Sequence, residues 1–419
     1  MFRSVLCVAV VALSTTAGAQ QAGSAPRSKA DSVAKATADS LAFVREFAKT
    51  VSAPAAPARA VGGPQGATNP RMLPDFSAVG DLVGDLSPKG STQGDGSRLG
   101  VREVELAIQS VVDPYFRGDM FLGINDQEKI AIEQAFLTTT SMPWGLQARI
   151  GRYLMPVGKQ NVTHRHDLHT VEYPYVIQKF MSEDGLKGTG VSVSQVLAPF
   201  GFYQELVVSV IDRFGDAVDS LQAPDAVNKN LGGLGYSARL RNYWDLSQAS
   251  NLELSLSGIT GNRQTALGFT TTDGTNAVNA RQTLVGADLT YRWKPLQQGL
   301  YQSFILQAEW MRQINDQGWL ANPDAAGAPL IRNYDGAYVF ARWQLAQRVY
   351  AGARWDTVQD PTFRGARLTA GSGVLEWFPS EFSKLVASYE RRSWVGGIAE
   401  DRILLQATFA VGPHKAHPF

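Results

Sequence analysis

The sequence contains a single cysteine, Cys7, which lies among its first residues. Residues 8–419 have no thiol, which excludes disulfides, cysteine nucleophiles and cysteine metal ligands from them. Beyond the first 20 residues no stretch of about 18 apolar residues occurs, so we predict no transmembrane helix there. Charge of one sign is also missing, because 39 basic side chains stand against 38 acidic ones. This balance argues against a nucleic-acid partner.

The first residues have the pattern of a bacterial export signal. Arg3 gives a short basic start, residues 5–13 form an apolar run, and Ala17-Gly18-Ala19 is a small-residue cleavage pattern. The apolar run is shorter than the roughly 20 residues that a membrane-spanning helix needs. We therefore predict a signal peptide over residues 1–19 that is cleaved before Gln20.

A polar segment rich in alanine and proline follows, over residues 20–70. Within it, residues 28–51 place Val33, Leu41 and Val44 on one stripe at helical spacing, which predicts a short amphipathic helix. A loosely ordered arm is the alternative. Residues 52–70 have the composition of a flexible linker. The segment is therefore interpreted as a periplasmic arm.

From Pro74 onward, apolar and polar residues alternate with a period of two. In "NLELSLSG", Leu252, Leu254 and Leu256 fall on one face, and Glu253 falls on the other. A soluble β-sandwich gives the same alternation. Charged side chains on the polar face and aromatic residues near the ends of the apolar face favour a transmembrane barrel instead. The abundance of aromatic residues, with 9 Trp, 13 Tyr and 19 Phe, is consistent with that choice.

The connections between the predicted strands alternate between long and short, which is typical of outer-membrane barrels. The sequence thus predicts an all-β protein, a transmembrane antiparallel β-barrel over residues 71–419. We count sixteen strands, with both chain ends on the short-turn side: 75–85, 102–111, 116–124, 130–140, 146–154, 188–197, 202–212, 235–243, 252–260, 282–293, 303–312, 336–344, 348–356, 367–377, 384–392 and 402–411.

The segments "REVELAIQSVVDPYFRGDMFLGI" and "IEQAFLTTTSMPWGLQARIGRYLMPVGKQN" look like early hairpins of a known family. With the export signal, the arm, the sixteen strands and the terminal Phe419, the chain resembles bacterial outer-membrane porins of the porin O/P (phosphate-selective-porin-like) group. The resemblance implies a passive channel for small hydrophilic solutes or ions, commonly a homotrimer. It also implies contact with outer-membrane lipid and with the barrel-assembly machinery, for which Phe419 is the signal.

The stretch "THRHDLH" (163–169) holds three of the five histidines and lies in the third long connection, residues 155–187. In such barrels a long third loop commonly folds inward and narrows the channel. We assign the pore constriction to seven residues: Lys159, His164, Arg165, His166, Asp167, His169 and Glu172. Two alternatives stay open. His164, His166 and His169 could bind Zn²⁺ or Cu²⁺ together with Asp167 or Glu172, or the loop could be a hydrogen-bonded scaffold.

Alternation also predicts which charged side chains face the lumen. The positions assigned to the lumen lining are Arg117, Arg239, Arg241, Glu253, Asp288, Glu309, Arg342, Arg354, Glu390 and Arg402. Other acidic positions with the same orientation include Glu103, Glu105 and Asp356. Because the two signs are balanced, we predict weak ion selectivity that is set locally by the loop. The alternative is that most of these charges pair across strands.

No hydrolase elbow or P-loop context is present, so we predict that the protein is not an enzyme and needs no cofactor. Two other functions compete with the porin interpretation. One is a structural barrel with an occluded lumen and a periplasmic anchoring arm. The other is a metal-uptake channel that uses the histidine loop. A TonB-dependent receptor is disfavoured, because residues 20–70 are too few for a plug domain.

Overall fold

The computed structural model describes residues 74–126, 130–197, 200–215, 233–270, 276–320, 330–361, 366–394 and 399–412. Several predictions concern residues outside these ranges. They are the signal peptide, the arm with its helix, and Phe419. His414 and His417, near the end of the sequence, also lie outside these ranges.

Sixteen antiparallel strands form one closed barrel, in which each strand pairs with its sequence neighbours and β1 pairs with β16. The strands are Asp75–Asp85 (β1), Leu99–Val111 (β2), Phe116–Ile124 (β3), Ile130–Thr139 (β4), Leu146–Leu154 (β5), Lys187–Leu197 (β6), Tyr203–Ile211 (β7), Gly235–Ser247 (β8), Ser250–Thr270 (β9), Asn276–Trp293 (β10), Phe304–Leu320 (β11), Leu330–Ala346 (β12), Val349–Asp360 (β13), Ala366–Ser380 (β14), Ser383–Trp394 (β15) and Ala399–Val411 (β16). The predicted fold class and strand number are confirmed.

Helical structure in the described part of the chain is limited to short segments. One α-helix, Tyr175–Phe180 (α1), and two 3₁₀ turns, Gln160–Val162 and Arg165–Asp167, lie between β5 and β6. A third 3₁₀ turn, Pro143–Gly145, joins β4 to β5. No helix among the described residues has the length and apolar character to cross a membrane.

Burial in the barrel wall is inverted relative to a soluble protein. On β11 the residue Trp310 is 44% exposed and its neighbour Glu309 only 2%. On β13 the same holds for Trp355, at 49%, and Asp356, at 0%. A wall with apolar side chains outside and charged ones inside is stable when lipid surrounds it and water fills it. A soluble sandwich requires the opposite, so the inversion argues against that alternative.

Aromatic side chains cluster where the strands meet the short turns. Trp293 on β10 stacks on Trp343 on β12 with ring centroids 5.9 Å apart, and Phe304 on β11 lies 5.5 Å from Trp343. This placement is the one expected for an interfacial girdle, in which amphipathic rings lie at the edge of the apolar band.

The observed strand ends differ from the predicted ones mainly on one side of the barrel. β1, β3 and β5 have the predicted ends, whereas β9 continues to Thr270 and β10 begins at Asn276. The segment 261–281 was expected to be mostly loop, and most of it is a paired extension of this hairpin. The strands pair beyond the apolar band because the hydrogen bonds between strands need no apolar face. The alternation of apolar and polar residues therefore ended β9 too early and began β10 too late.

Candidate functional site

The connection between β5 and β6, residues 155–186, folds into the barrel, and we call it the inward loop. One buried amide closes its base. Asn161 Nδ2 donates to the carbonyls of Met155 and Leu186, at 2.8 and 3.0 Å, and its Oδ1 accepts from the Leu186 N–H at 2.6 Å. Both ends of the loop are therefore fixed to the same side chain.

Apolar packing holds the centre of the inward loop against the wall. Val176 and Phe180 on α1 are buried in a cluster that includes Tyr334 and Tyr338 on β12. The approach is close at Gly336, where a Cβ atom would lie 2.7 Å from Val176 Cγ2. Because only a hydrogen atom fits there, the glycine permits the helix to reach the wall. The main apolar cluster of the described chain thus lies inside the barrel.

The first half of the inward loop makes polar contacts with β9 and β11. The Gly158 N–H donates to Ser257 Oγ at 2.9 Å, and the Lys159 N–H donates to Glu309 Oε1 at 3.1 Å. The Lys159 ammonium donates to both carboxylate oxygens of Glu253, at 2.8 and 3.0 Å. These contacts join residues about 100 to 150 positions apart in the sequence.

The second half is anchored to β13, β15 and β16. Tyr175 donates its hydroxyl to Glu390 Oε1 at 2.6 Å and its backbone N–H to Asp356 Oδ1 at 3.0 Å. Glu172 accepts two hydrogen bonds from the Arg402 guanidinium, at 2.9 and 3.0 Å. Burial alone would raise the pKa of Glu172, but the charge and hydrogen bonds of Arg402 lower it to about 2.

His164 contacts two further strands of the wall, β2 and β4. Its Nδ1 lies 2.6 Å from Glu105 Oε2 on β2, and its Nε2 lies 2.7 Å from Gln134 Nε2 on β4. Burial lowers the pKa of His164, but the hydrogen bond to Glu105 and the charges of Glu105, Asp167 and Glu103 outweigh burial and raise it.

The other two histidines occupy different environments. The ring of His166 is buried, and burial lowers its pKa to about 4, so the imidazole is neutral at pH 7. His169 lies on the far side of the loop, where its Nδ1 is 3.5 Å from Glu376 Oε2 and its ring stacks on Phe340. Burial and the charge of Arg342 lower the pKa of His169. The structure therefore brings His164 and His166 together and separates His169 from them.

Cavities lie on both sides of the inward loop. The outer cavity, of about 360 Å³, reaches the long-connection end of the barrel at Asn125 and is lined by Arg102, Glu103, Glu105, Glu133, His164, Arg165 and Asp184, among others. Two inner cavities, of about 350 and 480 Å³, reach the short-turn end. The charged residues that line the smaller inner cavity are Arg149, Lys159, Glu205, Arg239, Arg241 and Glu253. Those that line the larger one are Lys159, Asp167, Arg292, Lys294 and Arg342, together with His164 and His169.

The outer and inner cavities meet at the side chains of Gln134 and His164. Gln134 borders the outer cavity and one inner cavity, and His164 borders the outer cavity and the other inner cavity. We call this hydrogen-bonded pair the neck. Of the seven residues assigned to the constriction, five line the cavities. His166 and Glu172 are instead held in the contacts that fix the loop.

All ten residues predicted to line the lumen lie on the inner face of the wall, and most of them are in ion pairs. Arg342 contacts Glu376 at 2.7 Å, Arg354 contacts Asp356 at 2.7 Å, and Arg402 contacts Glu390 at 3.1 Å. Three further ion pairs involve assigned residues: Arg117 with Asp119, Arg239 with Asp288, and Arg241 with Glu253. Glu309 instead accepts hydrogen bonds from the Tyr338 hydroxyl and the Lys159 N–H.

Comparison with known proteins identifies other chains with this architecture. No family model matches the chain. An uncharacterized protein of Aquifex aeolicus is 26% identical over 342 residues, which cover 75% of this chain and 69% of that protein. The outer-membrane channel DcaP of Acinetobacter baumannii superimposes with a TM-score of 0.51 at 11% identity, over 81% of this chain and 97% of DcaP. The chain has the fold of an outer-membrane porin.

Two further solved structures share this porin fold at similar distance. The trimer form of OmpT, an outer-membrane protein of Vibrio cholerae, gives a TM-score of 0.51 at 11% identity, over 81% of this chain and 99% of OmpT. An anion-selective porin from Comamonas acidovorans gives 0.50 at 10% identity, over 81% of this chain and all of that chain. The likeness at these identities concerns the fold.

The sequence did not indicate two side chains that hold the inward loop in place. Lys384 on β15 is buried and donates to the carbonyls of His166 and Leu168, at 2.5 and 2.8 Å. Arg102 on β2 donates to the Val171 carbonyl at 2.8 Å. Alternation places Lys384 on the inner face, but it places Arg102 on the outer face, next to the inward-facing Glu103. Arg102 has no partner in the β1–β2 register, and this β-bulge turns its side chain into the lumen.

Proposed function

We propose that this chain forms a water-filled channel in the bacterial outer membrane, through which small hydrophilic solutes and ions diffuse passively. The inward loop is the constriction of this channel, and the neck at Gln134 and His164 is its narrowest part. The observation that carries the proposal is the inverted wall, with aromatic residues facing out and charged residues facing in, around cavities at both ends of the barrel.

Polar lining on both sides of the loop supports passage of hydrated solutes. Charged groups that line the cavities stabilise water and ions inside them, whereas an apolar lining would exclude both. The pairing of acidic and basic side chains across the wall supports weak selectivity set near the loop. The narrower likeness to porin O/P proteins and the absence of enzymatic activity belong to the same proposal. So do assembly as a homotrimer in outer-membrane lipid and insertion by the barrel-assembly machinery.

The proposal is tested by liposome swelling. Purified, refolded protein is reconstituted into vesicles, which are then diluted into solutions of neutral sugars of increasing size. We expect swelling with monosaccharides and slower swelling as the sugar becomes larger, because the lumen sieves by size. Vesicles without protein are the control. Absence of swelling with the smallest sugar, for protein shown to be folded by its heat-dependent gel mobility, contradicts the proposal.

A second candidate, a structural barrel with an occluded lumen, is favoured by one observation. The Gln134–His164 contact of 2.7 Å joins the loop to the wall at the junction of the cavities. In this case residues 20–70 anchor the barrel in the periplasm, and their deletion disturbs attachment of the envelope without changing permeability. Swelling of vesicles that contain the wild-type barrel would exclude this candidate.

A further inference from the structure

Three potential metal ligands meet at mid-height inside the barrel. Glu105, His164 and His166 each offer one ligand atom, and these atoms lie within 4.8 Å of one another. Glu105 Oε2 and His164 Nδ1 are 2.6 Å apart, and the two imidazole rings are 5.5 Å apart between centroids. We propose that these three residues form a binding site for one divalent transition-metal ion of the Zn²⁺ type.

The donor set decides the class of ion. Two imidazole nitrogens and one carboxylate oxygen suit Zn²⁺, which binds such ligands at about 2.0–2.2 Å in tetrahedral geometry. Ca²⁺ and Mg²⁺ prefer six or more oxygen ligands, which these residues do not supply. Around a tetrahedral ion the ligand atoms lie roughly 3.3 Å apart, so side-chain adjustments of about an ångström close the site. The remaining position is left for water from the outer cavity, which Glu105 and His164 line.

The surroundings hold both histidines in place. Gln134 Nε2 lies 2.7 Å from Nε2 of His164, while Gln134 Oε1 accepts from the Leu154 N–H. With an ion on Nδ1 the Nε2 of His164 carries a proton, so the Gln134 amide turns its oxygen toward the ring to accept it and fixes the orientation of the ring. The Asp167 N–H donates to the His164 carbonyl at 2.9 Å, closing the 3₁₀ turn between them. Lys384 on β15 donates to the carbonyl of His166. Both imidazoles are therefore presented by a short, anchored turn and need little ordering when an ion binds.

Charge in the outer cavity favours a cation. Four carboxylates line it, from Glu103, Glu105, Glu133 and Asp184, against the two guanidinium groups of Arg102 and Arg165. Lys187 forms an ion pair with Glu133, so one carboxylate of this lining remains in excess, and its negative charge favours a divalent cation at the site. His169 is excluded from the site, because it faces Glu376 and Phe340 on the other side of the loop. The site therefore differs from the three-histidine set that the sequence offered, since Glu105 replaces His169.

Binding is measured on the full-length folded barrel in detergent, by titration with Co²⁺ followed by its visible absorption. We expect one ion per chain with the intense bands of a tetrahedral site, displaced by Zn²⁺ and not by Ca²⁺. A variant with His414→Ala and His417→Ala serves as the parent protein, so that the C-terminal histidines do not contribute. Co²⁺ absorption does not depend on conduction, so the proposed metal site and the proposed channel are tested independently.

Matched substitutions locate the ion. In the parent protein, Glu105→Gln, His164→Ala and His166→Ala should each weaken Co²⁺ binding by at least the roughly 10–100-fold that loss of an outer-shell partner costs, whereas His169→Ala should leave it unchanged. If His166→Ala does not fold, Glu105→Gln and His164→Ala decide the question. The proposal is overturned by absence of stoichiometric binding in the parent, by binding that survives these substitutions, or by binding that requires His169.

Discussion

Glu172 in the inward loop and Arg402 on β16 form a two-pronged ion pair, with oxygen–nitrogen distances of 2.9 and 3.0 Å across 230 residues of sequence. Removing one partner of such a buried, bidentate ion pair lowers the stability of the fold, because the charge of the other partner stays buried without compensation. Arg402 also contacts Glu390 and Tyr175, so the pair connects the loop to a larger network.

We predict that Glu172→Gln lowers the free energy of unfolding by about 3 kcal/mol, measured by urea denaturation of the barrel in detergent. The matched control is Arg391→Gln on β15, which removes an exposed ion pair with Asp401 on β16. Because the Arg391 side chain is 61% exposed, its loss should cost less than about 1 kcal/mol. Equal effects of the two substitutions would contradict the anchoring role of Glu172.

The same pair predicts how acid affects the loop. The pKa of Glu172 is lowered from 4.5 to about 2, so the docked loop binds this proton less readily than the released loop does. A lowered carboxyl pKa stabilises docking fully above about pH 4.5, and this stabilisation is lost as the pH falls toward 2. We expect proteolytic cleavage within residues 155–186 by pepsin to increase over this range. In Glu172→Gln the increase should be much smaller.

Gly158 in the inward loop is a second position at which a substitution should lower the free energy of unfolding. It has a φ of +71°, and a Cβ atom there would lie 1.7 Å from Glu309 Oε1. Gly158→Ala should lower the free energy of unfolding by about 1–2 kcal/mol from the backbone and by a further 1–3 kcal/mol or so from overpacking. Gly201→Ala is the control, because Gly201 has a similar φ of +78° but open space around it. Urea denaturation should show the backbone part alone in the control.

Glu253 is central to a basic cluster at the short-turn end, where Lys159 and Arg241 contact it within 3.1 Å. Removing its charge with Glu253→Gln leaves these cations uncompensated beside an inner cavity. We predict that the reversal potential in a salt gradient then shifts toward anion selectivity. Lys159→Gln should shift it toward cations. Arg312→Gln, on the outer face of β11, should leave it unchanged, and a shift of the same size there would contradict the local origin of selectivity.

The wall of the barrel could be predicted from sequence because one physical rule governs it. Lipid on one side and water on the other impose a period of two, which fixes the face of Glu253 and of Trp310 without any knowledge of their neighbours. The same rule does not predict where a strand ends once it extends past the lipid. For this reason β9 continues to Thr270, beyond its predicted end at residue 260.

The site was predicted only in part, because its contacts cross large distances in sequence. The cluster 163–169 showed where histidines are concentrated, and the long third connection predicted that the loop folds inward. It did not show that His164 meets Glu105, 59 residues away, or that His169 turns to the opposite side. Alternation places Glu105 in the lumen, but the height at which the loop crosses the barrel depends on packing of α1, which the sequence pattern does not specify.

Single-channel conductance of two proteins in planar bilayers tests the central claim most directly. The first is the wild-type barrel, and the second has residues 156–185 replaced by a short Gly-Ser linker, which can join the ends because Met155 N and Leu186 O are 2.8 Å apart. We predict defined steps for the wild type and steps several-fold larger for the loop-deleted barrel. A silent wild type, or equal steps for both proteins, would contradict a water-filled channel narrowed by its inward loop.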